Sequence, residues 1–220
     1  MAHLDDLPMD ERFLPRSGPM FSRGSSARAE LATDLAIPIL AESGWSALTL
    51  RRVALAANVT PQAIAAWFPS VAAMRAAVAE RYGNRWLSER RYLARSRLSR
   101  VRSAGTAEED EAPLLLELAA SLLPESWLEE TYDGIWLTIV EAGRWDETIG
   151  EAVAAVHERE RDVVCDLIDP SGARDVESLE RDVELVLAVV HGLRASHAPA
   201  RKGGTAGRAR TILAPRDPGG

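Results

Sequence analysis

Apolar positions recur with a helical period along most of the chain. Over residues 26–43, Leu31, Leu35 and Ile39 fall at i, i+4 and i+8, with Ala32, Ala36 and Leu40 beside them. That spacing marks one face of an α-helix. Gly44 follows, where the chain can enter the left-handed region that ends helices. Pro38 lies inside this segment and predicts a kink or a split. A short second helix begins at Thr49, a residue whose hydroxyl accepts from a free backbone N–H, and buries Val53, Ala54 and Ala57. Asn58, tolerant of a left-handed turn, ends it. Thr60 caps a third helix with Pro61 at its first position, and Ile64 and Phe68 face inward. Pro69 closes that helix and Ser70 caps a fourth, which reaches about residue 97 with Met74, Val78, Tyr82 and Trp86 in its stripe. Further helices are predicted over 113–123, 126–144, 147–168 and 175–196. Period-two alternation is absent, so the fold class is all-α.

Composition adds little to this and charge adds more. The 220 residues are 46% hydrophobic and 27% charged, ordinary for a globular protein. The formal net charge of −7 argues mildly against a nucleic-acid partner. Its distribution reverses that argument for one end. Residues 1–83 hold 8 basic and 8 acidic side chains, whereas residues 114–193 hold 5 and 19. The acidic block cannot face DNA, and the N-terminal part can. Residues 1–25 and 199–220 are rich in Pro, Gly, Ser and charge and read as a flexible arm and a disordered tail. Arg12, Arg16 and Arg23 of the arm are basic enough to touch a groove, although a solvated tail is the better reading. The single cysteine, Cys165, sits among Val163, Val164, Leu167 and Ile168 and reads as a buried small hydrophobe. With no disulfide framework, no apolar run of membrane-spanning length and no secretory signal, the expected location is the cytoplasm, with no membrane partner.

The segment from Thr49 to Phe68 predicts two short capped helices joined by a tight turn, which is the geometry of a helix-turn-helix. The run GWSALTLRRVALAANVTPQAIAAWFPS, residues 44–70, resembles the TetR family of transcriptional regulators. Gly44, Trp45, Thr49, Val53, Ala54, Ala57, Val59, Phe68 and Ser70 fall in the family's register without a gap. The resemblance implies a DNA-binding domain over 26–70, a helical effector-binding and dimerisation domain over 71–198, and a repressor released from its operator by a small molecule.

Departures from the family pattern bear on function. Asn58 stands where the family has Gly, which is harmless. Ala65 replaces a usual Tyr and Val71 a usual Lys, and both family residues commonly hold phosphates, the main source of DNA affinity. Contacts then fall to Thr49, Arg51, Arg52 and Thr60 for phosphate and to Gln62 for a base edge, since Gln pairs bidentately with adenine. Pro61 opens the recognition helix, Ala63 and Ala66 can meet a thymine methyl, and Trp67 occupies the place of a phosphate-reaching His or Tyr. The alternative reading is a TetR-fold dimer that has lost DNA binding and acts as a ligand- or protein-binding module.

Stripes at Ile149, Val153, Val156, Val163 and Leu167, and at Leu179, Val183, Val186, Val190 and Leu193, suit a four-helix dimer interface. The resemblance implies the same homodimer and a near-palindromic site on double-stranded DNA. It also implies an effector pocket among the central helices, for which Trp86, Trp127, Tyr132, Trp136, Glu141 and Trp145 are candidate liners, with Asp133 and Glu147 near them. A cationic amphipathic effector suits that mix. No catalytic set stands out. His3, His157, His191 and His197 are not spaced as metal ligands, and neither a Gly-rich phosphate loop nor a nucleophile elbow occurs. No enzyme, cofactor or metal is expected.

Overall fold

The computed structural model describes residues 25–103 and 112–196. The expected arm up to residue 24, the segment 104–111, and everything from His197 onward lie outside the described residues. Among the described residues eight helices run in order: α1 Ser25–Ala47, α2 Leu50–Ala56, α3 Pro61–Trp67, α4 Val71–Ser103, α5 Ala112–Ser121, α6 Trp127–Gly143, α7 Glu147–Ile168 and α8 Val176–Ala195. Among the described residues there is no strand, and no helix is long and apolar enough to cross a membrane.

The local signals act as expected at most helix ends. The Thr49 hydroxyl accepts from the Arg52 N–H and that of Thr60 from the Ala63 N–H, both at 3.2 Å. Ser70 accepts from the Ala73 N–H at 3.0 Å, and Asp175 from the Ser178 N–H at 2.8 Å. Asn58 holds φ +52 in the turn between α2 and α3. In α1, Gly44 alone leaves helical geometry, at φ +69, so the helical run stops there and a short turn carries on to Ala47. Pro38 neither splits α1 nor takes its neighbours out of helical geometry, and Ile37 and Ile39 on either side of it are buried. The buried face of α1 is also rotated from the expected one. Ala32, Ala36, Ile39 and Leu40 are buried with Ile37 and Thr33, whereas Leu31 and Leu35 are only half-buried.

The chain divides into two compact units, and the boundaries fall inside α4, α6 and α7. The first unit takes the described residues up to Asn84 together with Leu137–Ala155. Its core is Val53, Ala54, Ile64, Met74, Val78 and Tyr82, all at most 1% exposed. α2 packs on α1 and α3 there. Arg81 ties α4 to α1 by a two-pronged pair with Asp34, both bonds 2.9 Å, and that hydrogen-bonded carboxylate raises the guanidinium pKa. The second unit takes Arg85–Trp136 and the described residues from Val156 on, with α5 packed on α8.

The stripes on α7 and α8 fill the chain's own interior. Val156, Val183, Val186 and Val190 are at most 1% exposed within a single chain, and Val153, Val163 and Leu167 are also buried. Side chains buried in this way have little surface to offer a partner, and Leu193 is half-buried. Both helices bury so much because each packs its apolar face against elements of the same chain.

Candidate nucleic-acid interface and buried polar cluster

The helix-turn-helix presents two different faces of α3. Gln62, Ala65 and Ala66 point to solvent, and Pro61 is exposed at the start of the helix. Ala63 and Trp67, one helical turn apart, face the other way. They line a cavity of about 280 Å³ together with Arg28 and Leu31 of α1 and Asn58 and Val59 of the turn. The structure therefore brings Gln62 and Ala66 onto one accessible surface and turns Ala63 and Trp67 towards α1.

On α2, Arg51 and Arg52 are both exposed, and Arg52 donates to the Ser43 hydroxyl at 2.8 Å. Thr49 and Thr60 use their oxygens as acceptors for helix caps, which leaves each hydroxyl proton free to donate. One bracing residue escaped the sequence pattern. Arg75 of α4 donates to the Trp45 carbonyl at 2.8 Å and the Leu48 carbonyl at 3.4 Å, holding the entry to α2. The Trp45 indole N–H donates to the Thr138 carbonyl at 3.3 Å, from the other segment of the same unit. A lone arginine in a helix gives no sequence signal for such a role.

The aromatic candidates separate by unit. Trp86 and Trp136 stack in the second unit, with centroids 6.1 Å apart and planes at 15°, and are 3% and 1% exposed. Tyr132 is half-buried, and the side chain of Trp127 lies outside the described set. Glu141 and Trp145 belong to the first unit. There Trp145 is 83% exposed and donates to the Glu141 carboxylate at 3.2 Å.

Around the tryptophans the second unit buries a polar cluster that the sequence reading missed. The Arg194 guanidinium lies 4.2 Å from the Trp86 ring centroid, in cation–π contact. It donates to Glu160 Oε1 at 3.1 Å and to the Leu122 carbonyl at 2.8 Å, and its Nε lies 3.4 Å from Asp133 Oδ1. Asp133 and Glu160 are each 1% exposed as side chains. The Asp133–Arg194 approach satisfies the distance for an ion pair but not the angle for a hydrogen bond, so both Asp133 oxygens stay without a hydrogen-bond partner, as does the Trp86 indole N–H. Unpartnered buried groups of this kind are rare and costly.

His191 Nε2 lies 2.9 Å from Glu160 Oε2, and His157 sits between His191 and Trp136, with ring centroids 5.3 Å and 6.0 Å away. Burial pushes the Glu160 pKa up, but the Arg194 charge and the His191 bond outweigh it and hold the group at about 2. Burial is also the main cause that lowers the His157 pKa. The expectation that the histidines do not cluster with metal-ligating groups is corrected here: His157, Glu160 and His191 place their ligand atoms within 4.8 Å of one another. The signal was present as two i, i+3 pairs, His157 with Glu160 and His191 with Arg194. Only the pairing of α7 with α8, across about thirty residues of chain, joins them.

No family model and no curated protein matches this chain in sequence. Solved structures do match its fold. A proposed TetR-family transcriptional regulator from Rhodococcus sp. aligns with a TM-score of 0.53 at 16% identity, over 86% of this chain and 95% of that one. The multidrug binding protein EbrR, solved with imidazole, aligns with a TM-score of 0.55 at 19% identity, over 84% and 92%. A proposed transcriptional regulator from Saccharomonospora viridis, solved with choline, aligns with a TM-score of 0.50 at 18% identity, over 86% and 94%. The chain has the all-helical fold of TetR-type transcriptional regulators.

Proposed function

We propose that this protein is a DNA-binding transcriptional repressor that sits as a homodimer on a near-palindromic operator and is released by a small-molecule effector. The observation that carries this reading is the capped helix-turn-helix, with Gln62 and Ala66 exposed on α3 and Thr49, Arg51, Arg52 and Thr60 around its entrance. Those groups supply one base-reading amide and several phosphate contacts, the division of labour in sequence-specific binding. The dimer we propose uses the outward face of α8, where Leu185 is 54% exposed and Ala188 and Gly192 follow it at i+3 and i+7. Small residues there let two backbones approach closely.

The effector we propose is a cationic, partly aromatic or alkylated molecule. Stacked Trp86 and Trp136 offer π-faces, and the buried Asp133 carboxyl, which accepts no hydrogen bond, favours a positive charge. Arg194 holds the position such a cation would take. A structural neighbour solved with choline, a quaternary ammonium, supports the same chemistry.

One observation favours a second reading. Beyond Gln62 the exposed face of α3 carries only Ala65 and Ala66, so a ligand-binding dimer without an operator also fits. Fluorescence anisotropy on genomic duplexes separates the two. The repressor reading predicts affinity that falls steeply with salt. Arg51→Ala should weaken all sequences alike, and Gln62→Ala should cost about 1–3 kcal/mol on the preferred sequence alone. Equal effects of both substitutions on every sequence contradict the roles given to these residues, and no binding at low salt favours the second reading.

A further inference from the structure

We propose that His157, Glu160 and His191 form a binding site for one divalent transition-metal ion of the zinc, cobalt and nickel class. This goes beyond the repressor reading and does not depend on it. Two imidazoles and one carboxylate are a donor set suited to borderline metals. The three ligand atoms lie within 4.8 Å of one another, against roughly 3.3 Å between neighbouring ligands around a tetrahedral zinc ion. Small side-chain adjustments close that difference, since His191 Nε2 and Glu160 Oε2 are already 2.9 Å apart.

The surroundings fit a metal better than a simple hydrogen-bond cluster. Arg194 binds Oε1 of Glu160 and leaves Oε2 on the imidazole side, so the carboxylate can coordinate through one oxygen while its other oxygen is held from outside. Such outer partners fix the orientation of metal ligands. Charge points the same way. Two buried carboxyl groups, Asp133 and Glu160, face one guanidinium, Arg194, which leaves room for a further positive charge. The His191 side chain is 42% exposed and gives an ion a way in.

The test uses full-length protein stripped with a chelator, titrated with Zn²⁺ by calorimetry and, in a parallel sample, with Co²⁺ followed by visible absorption. The expected result is one Zn²⁺ per chain and weak cobalt bands of nitrogen and oxygen ligation, without a thiolate charge-transfer band. His191→Gln, at a partly exposed position, should lower the affinity at least about tenfold. The double variant His3→Ala/His197→Ala, which removes the only other histidines, should bind like the parent. Absence of saturable binding, undiminished binding by a folded His191→Gln, loss in the double variant, or a thiolate band from Cys165 overturns the proposal. The wild-type cobalt spectrum and the double variant decide it even if His191→Gln is unstable.

Discussion

Glu160 shows how a single buried side chain is made tolerable. Removing a carboxylate from water costs several kcal/mol, and the cost is met here by the Arg194 charge and the His191 bond. Its pKa falls from 4.5 to about 2 in the folded chain. A folded-state pKa below the unfolded one stabilises the fold at pH above about 4.5, and that contribution is lost as pH falls towards 2. Denaturant titrations of the wild type and Glu160→Gln should therefore converge as pH is lowered through this window. At pH 7 the variant should be less stable by a few kcal/mol, because it removes the buried carboxylate that Arg194 and His191 share. A constant gap between the two proteins from pH 6 to pH 2.5 would show that Glu160 does not titrate as described. The exposed Arg181–Glu177 pair, by contrast, contributes little, since water screens both partners.

At the scale of elements, the chain's helices were largely legible, and α7 matches its expected span of 147–168 end to end. Helix ends were readable because they rest on local chemistry: a Thr hydroxyl three residues from an amide, an Asn at positive φ, a Gly at the end of a run. Thr60→Ala should cost about 1 kcal/mol by removing the cap of α3, and thermal melts should register it. An unchanged melting temperature would mean that tertiary packing alone fixes that helix. Burial direction was less legible. Leu31 and Leu35 belong to the helical stripe of α1, yet the backbone-hugging face of Ala32 and Ala36 won the buried side. Likewise Val156 and Val190 carry the pattern of an interface, but periodicity marks a face as apolar without saying whose surface covers it. The polar cluster was hidden for a related reason. Its members lie on helices whose pairing is set by the fold and not by sequence spacing.

For the molecule as a whole, the first unit carries the helix-turn-helix proposed to read DNA, and the second buries aromatic, acidic and imidazole groups. A ligand that binds one conformation better shifts the population towards it, so under the proposed function an effector need only distinguish DNA-competent from incompetent conformations. The proposed repressor function depends on the exposed face of α3 reading DNA despite its alanines. Selection from a random duplex library at low salt, with sequencing of the retained DNA, tests this most directly. A near-palindrome whose half-sites lie about one helical turn, roughly 34 Å, apart should be enriched. Retention of the library without any enriched sequence, or no retention at all, would contradict it.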